Sequence, residues 1–220
     1  MNSPILQLLV LAGIAIFLIL RLKNVLGTRD GFEAPPVVKP DSDAKAKRKG
    51  FEVIDGGVDR DVIDHAPEGS DAAVALAAMK RVEPSFGVGD FLQGARGAYE
   101  MILMGFERGD LAAIKPFLDD DVYETFAEVV EAREKQGLTV EAEFGGIREM
   151  ALEDAEFDEN TRLAEISVRF IGELSSVVRD KSGTVIEGKS GAVKRQKDIW
   201  TFARTMASDD PNWQLVATGE

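Results

Sequence analysis

The first twenty residues carry no charged side chain, and this run constrains the chain more than any other feature. From Ile5 to Leu20 it is apolar except for Gln7 and Gly13. At about 1.5 Å per residue, a helix from Ile5 to Leu22 approaches the hydrocarbon thickness of a bilayer. A secretory signal would place basic residues ahead of the apolar core and small residues at a cleavage site. Here the positive charges come afterwards, at Arg21, Lys23, Arg29 and Lys39. The expectation is a transmembrane helix within residues 1–26, with Ile5, Leu9, Ile14, Phe17 and Leu20 in the hydrocarbon and Arg21 and Lys23 at its surface. Lys and Arg favour the cytoplasmic side, so the chain is expected to be single-pass in the inner (cytoplasmic) membrane, with the amino end outside and the rest in the cytoplasm.

Residues 27–70 read as a flexible tether, rich in Pro, Gly, Asp and Lys. Within it, Lys45, Lys47, Arg48 and Lys49 form a basic cluster. Such a cluster either rests on anionic headgroups, at about 1 kcal/mol per charge, or is a solvated run. His65 reads as a loop residue. A short helix is expected within residues 71–83, capped by Asp71, with Leu76 and Met79 apolar and Lys80 and Arg81 at its carboxyl end. Pro84 stops it.

The folded body is expected over residues 84–220. Of the formal net charge of −13, residues 85–220 contribute −12, from 15 basic and 27 acidic side chains. Three helices lead it. Asp90 opens the first, whose stripe is Phe91, Ala95, Ala98, Tyr99, Ile102, Leu103 and Phe106, and Gly109 closes it. Asp110 opens a short second helix. Asp119, Asp120 and Asp121 open the third, and Gly137 closes it. Strands follow: Thr139 to Phe157 with a bulge at Gly145-Gly146, Leu163 to Arg179, Val193 to Met206, and Trp213 to Thr218. Helices followed by strands predict an α+β domain, three helices on a curved antiparallel sheet. The concave side of such a sheet offers room for an apolar ligand or a partner segment.

Chemical motifs are scarce. The chain has no cysteine and one histidine, which removes thiolate sites, cysteine nucleophiles and multi-histidine metal sites. The acidic balance argues against nucleic acid. Gly183-Thr-Val-Ile-Glu-Gly188-Lys189-Ser190 matches the phosphate-loop pattern, but that loop must join a strand to a helix, and here strand-forming residues surround it. Three adjacent aspartates at a helix start read as cap and dipole partners rather than metal ligands. Glu149, Glu153, Asp154, Glu156, Asp158 and Glu159 read as a solvated face, although a carboxylate pair for acid–base work stays open. Lys194, Arg195 and Lys197 form a small basic patch. No catalytic, cofactor or metal residue is assigned.

Phe91-Leu-Gln-Gly-Ala-Arg96, Ala98-Tyr99-Glu100, Gly109-Asp110 and Val122-Tyr123 resemble the start of the Tim44-like domain family. Asp198-Ile-Trp200-Thr-Phe202-Ala-Arg204 and Asp210-Pro-Asn-Trp213-Gln-Leu-Val-Ala217-Thr218 resemble its end. The apolar amino terminus with its basic flank resembles the bacterial TimA-type members. The resemblance implies a cone-shaped α+β fold of the nuclear-transport-factor-two-like superfamily. It also implies a non-enzymatic adaptor at an inner membrane, serving protein transport or membrane-protein biogenesis, with translocase or chaperone components as partners and acidic-lipid contact. The motif residues Tyr99, Trp200, Phe202, Pro211 and Trp213 read as fold anchors. A carrier of lipid or another small hydrophobe, and an enzyme using the concave space, are the competing functions.

Overall fold

The computed structural model describes residues 59–219. The expected anchor residues Ile5, Leu9, Ile14, Phe17 and Leu20 lie outside the described residues, as do Arg21, Lys23, Lys45, Lys47, Arg48 and Lys49. Among the described residues no helix is long and apolar enough to cross a membrane.

The helices start and stop where backbone groups find partners. Helix α1 (Arg60–Ile63) is one turn capped by Asp59. Helix α2 (Asp71–Val82) is capped by Ser70, whose hydroxyl accepts from the Ala73 amide, so the cap falls one residue before the expected Asp71. Asp71 occupies the first turn instead, where its charge suits the helix dipole. Helix α3 (Val88–Arg108) begins two residues before Asp90, and its N-cap Gly87 offers no side chain. The missing cap comes from α1: Asp61 accepts from the Val88 and Gly89 amides at 2.8 and 3.0 Å and from Lys80 Nζ at 2.7 Å. Gly109 ends α3 in the left-handed region, which glycine enters at little cost. Helix α4 (Leu111–Ile114) passes through a 3-10 turn (Lys115–Phe117) to helix α5 (Asp120–Gln136). Asp119 caps α5, accepting from the Asp121 and Val122 amides at 3.0 and 3.2 Å, so the triple aspartate serves a helix end.

Four strands form an antiparallel meander in the order β1 (Thr139–Phe157), β2 (Leu163–Arg179), β3 (Val185–Thr205), β4 (Gln214–Gly219). The β1–β2 register slips at Phe144/Gly146, as the glycine pair predicts, and again at Ile147/Glu149 and Leu152/Asp154. Each slip bends and twists the ladder, and this curves the sheet around the helices. Strand β3 starts eight residues before the expected Val193, because Val185 to Gly188 pair with Val177 to Arg179. The phosphate-loop pattern therefore lies largely in a strand, with no helix amino terminus behind it.

The core is continuous from α1 to β4. Val62 and Ala66, within the expected tether, are buried in the same cluster as Leu76, Met79, Tyr99, Phe170 and Leu215. The expected divisions at 70/71 and 83/84 therefore do not mark where packing begins; apolar side chains on both sides of each share one interior. The middle of the sheet's inner face is filled by aromatic side chains. Tyr99 stacks on Phe170 at 4.4 Å between ring centroids, and Trp200 lies 4.7 Å from Tyr99. Buried aromatic rings of this size dominate a small core, each contributing roughly 2–3 kcal/mol by area removed from water.

Candidate functional site

Five segments meet along the exposed flank of α3 and line a groove of about 510 Å³. The α2–α3 connection supplies Glu83 and Phe86, α3 itself supplies Gly94, Gly97 and Met101, and the β3–β4 turn supplies Pro211 and Trp213. Phe117 of the 3-10 turn and Arg204 of β3 complete it. The open space thus lies between the flank of α3 and one end of the sheet's inner face, where Phe202 and Arg204 stand on the same face of β3 as Trp200.

The apolar wall is an aromatic cluster. Trp213 lies edge-on to Phe91 at 4.7 Å and 6.0 Å from Phe86, and Phe91 meets Phe202 edge-on at 6.1 Å. Of the expected fold anchors, Tyr99, Trp200 and Phe202 are core residues. Pro211 and Trp213 stand instead at the groove, Pro211 exposed and Trp213 half-buried. The turn that carries them is held by Asp210, which accepts from the Asn212 amide at 2.9 Å.

One end of the groove holds a part-buried ion pair. Arg204 Nη2 donates to Glu83 Oε1 at 2.7 Å, and the Ala207 amide donates to Glu83 Oε2 at 2.8 Å. The Arg204 side chain is only 8% exposed and its guanidinium lies 5.3 Å from the Trp213 ring centre. Burial pushes the Glu83 carboxyl up, but the bonds from Arg204 and Ala207 and the Arg204 charge outweigh it and hold the carboxyl below its ordinary value. Glu83 is therefore a committed carboxylate, a poor general base. Arg204 Nε has no hydrogen-bond partner among the described residues.

The groups poised at raised values lie outside the groove. Burial, with the Asp198 bond adding to it and Gln196 opposing, pushes the Tyr99 phenol up. Tyr99 donates to Asp198 Oδ2 at 2.5 Å, and Gln196 Nε2 donates to both at 3.1 and 3.0 Å. That network is satisfied within the core and holds α3 to β3. Burial also raises Glu107, with Arg133 opposing and Glu187 adding to it.

The other residues singled out in the sequence are dispersed. His65 is exposed in a turn. Glu149 and Glu153 face Arg169 at 3.7 and 3.3 Å, Asp158 accepts from turn amides, and Glu159 meets Arg81 at 3.5 Å. No group of three His, Cys, Asp or Glu suited to a metal ion occurs among the described residues. Lys194, Arg195 and Lys197 are exposed on β3, with Arg195 paired to Glu173 at 3.1 Å. Sequence reasoning missed Asp61, Glu83 and Arg204 as a set. Asp61 caps a helix 27 residues away, and Glu83 meets Arg204 across 121, beyond any local signal.

An α+β domain with an apolar groove and a locked ion pair at its end has the build of a binding module. The chain belongs to the Tim44-like domain family, whose model matches residues 72–220. Comparison with curated proteins finds no match. Among solved structures it is similar to the intermembrane space region of chloroplast protein ARC6, at 10% identity over 58% of this chain and 94% of that one, TM-score 0.40. It is also similar to a conserved protein from Planctomyces limnophilus, at 19% identity over 57% and 91%, TM-score 0.33. A ketosteroid isomerase-like protein from Erwinia carotovora atroseptica shows 15% identity over 58% and 92%, TM-score 0.30.

Proposed function

We propose that this protein is a non-enzymatic adaptor, anchored in the inner membrane by residues 1–26, whose cytoplasmic domain binds a protein partner in protein transport or membrane-protein biogenesis. The observation that carries the reading is the groove beside α3. It is lined by Phe86, Phe91, Met101 and Trp213, and its part-buried acid, Glu83, is already spent on Arg204. Such a surface binds by burying apolar area and contributes no poised acid or base. Membership of the Tim44-like domain family supports the protein-transport setting. The uncharged run Ile5 to Leu20 supports the anchor, and Lys45, Lys47, Arg48 and Lys49 supply contact with acidic headgroups.

The test is site-specific photocrosslinking in intact membranes with the full-length chain. A photoreactive residue at Gln93, exposed at the groove, is compared with one at Glu165 on β2. Protein adducts from position 93 and none from 165 support the adaptor. Lipid adducts alone at 93 would favour the carrier, a second reading that the apolar walls also admit. Release of the full-length protein from membranes by alkaline carbonate would remove the anchor.

A further inference from the structure

We propose that the open edge of β3, from Val193 to Lys197, takes up an extended acidic segment of a protein partner as a further strand of the sheet. The inference rests on the sheet and is independent of the groove.

Unequal strand length is the first observation. Strand β4 pairs with β3 only from Ile199 to Ala203, whereas β2 pairs with it as far as Val185. On the β4 side, the backbone from Val193 to Lys197 therefore has no strand beside it among the described residues. Alternate amides and carbonyls along such an edge point outward without partners, and a strand laid in line with β4 would meet them. The stretch is uncovered: Val193 is 57% exposed, and Lys194, Arg195 and Lys197 are exposed as well. It is also held in register, since Lys194 to Lys197 pair with Leu174 to Ile171 of β2. Beyond Val193 the residues Lys189 to Ala192 leave the ladder opposite Ser176, which ends the usable edge.

Charge is the second. Residues 181–197 carry five basic side chains and one acidic, in a body whose net charge is −12. Glu173 matches Arg195 at 3.1 Å but also serves Arg148 at 2.6 Å, so one carboxylate answers two guanidiniums. Gln196 reaches Tyr99 on the inner face. Alternation then puts Lys194 on the inner face too, and Val193, Arg195 and Lys197 on the outer. Bases thus flank the edge on both faces. A membrane surface would meet one face only, whereas a strand laid on the edge sends its own side chains to both. Two copies of this edge repel each other, which guards it against self-pairing, while the same lysines attract a strand that carries carboxylates. Val193 offers such a strand an apolar neighbour.

The test uses the full-length chain in nonionic detergent and a short blocked peptide of alternating valine and glutamate. A second peptide has lysine for each glutamate. A third is the acidic peptide N-methylated along its backbone, which keeps the charge and removes the donors. Amide exchange read by mass spectrometry is expected to slow at least tenfold over residues 193–197 with the acidic peptide and to stay unchanged with the other two. The variant Lys194→Glu/Lys197→Glu alters exposed side chains and is expected to keep the wild-type melting temperature. It is expected to bind the acidic peptide at least tenfold more weakly and to gain binding of the lysine peptide, because two attractions become two repulsions. Equal protection by the N-methylated peptide overturns strand pairing, and undiminished binding by the double variant overturns the charge assignment. Protection of the same residues when phosphatidylglycerol is mixed into the detergent, with none from the acidic peptide, reassigns the patch to lipid headgroups. Protection that rises with protein concentration alone reassigns the edge to a second copy. If no probe slows exchange there, the edge is no docking site; crosslinks at position 93 report on the groove separately, so the adaptor reading is decided by those.

Discussion

Replacing Asp61 by asparagine isolates the contact that fastens α1 to the start of α3. The carboxylate accepts from Lys80 Nζ and from the Val88 and Gly89 amides, and the amide side chain keeps the shape and one oxygen but never ionises. Burial pushes the Asp61 carboxyl up, but these bonds and the Lys80 charge outweigh it and hold it at about 2, against an ordinary 3.8. That difference corresponds to about 2.4 kcal/mol. The side chain is 31% exposed, so solvent screening reduces this to roughly 1–2 kcal/mol at neutral pH. The sign follows from the direction of the shift. The stabilisation is complete above the ordinary carboxylate value and is lost as pH falls through about 2, so roughly half remains at pH 3. Urea unfolding of wild type and Asp61→Asn at pH 7 and pH 3 measures the difference directly, other carboxylates cancelling between the two proteins. A gap of about 1–2 kcal/mol at pH 7 that halves at pH 3 is expected. A gap below about 0.5 kcal/mol, or one that does not change with pH, would refute the latch.

Other perturbations give equally definite outcomes. Glu83→Gln leaves the part-buried Arg204 without a counter-charge and should cost about 2 kcal/mol in urea unfolding, with a shift in Trp213 fluorescence. Because the Glu83 carboxyl is held below its ordinary value, its contribution is present above that value and lost as pH falls below it, so the deficit of Glu83→Gln shrinks in acid. Gly172→Ala brings a Cβ within 2.8 Å of the Tyr99 hydroxyl, a ring held by Phe170 and Trp200, and should cost about 2 kcal/mol and alter near-ultraviolet circular dichroism. Gly188→Ala combines a φ of +79° with a Cβ 2.1 Å from the Ser176 carbonyl oxygen. It should speed amide exchange across the Val177–Gly188 ladder while leaving exchange in α3 unchanged.

Much of the fold was legible because it rests on local rules. The apolar stripe of α3, the left-handed glycines at Gly109 and Gly137, the aspartate cap of α5 and the alternation along β2 each follow from residues within a few positions of one another. The bulge at Gly145-Gly146 and the failure of Gly183 to Ser190 as a phosphate loop were readable for the same reason. The family resemblance came from short contiguous motifs such as Asp198 to Arg204 and Asp210 to Thr218, and the match over residues 72–220 agrees with it.

Tertiary structure alone decided the rest. Residues 59–66 read as tether because they are polar and short of periodicity, yet Val62 and Ala66 find a place in the core only once α2 and α3 stand beside them. The middle of the expected concave space is filled because Tyr99, Phe170 and Trp200 pack against one another, and what room remains lies toward Phe202 and Arg204; packing volume is a property of facing surfaces rather than of any one segment. The groove has the same origin. Glu83, Gly94, Arg204 and Trp213 acquire a common surface only when the β3–β4 turn folds back onto α3. Caps, stripes and turns are set by neighbours in sequence, whereas a binding surface is set by neighbours in space, which this chain brings together across 121 residues at Arg204 and 124 at Ala207.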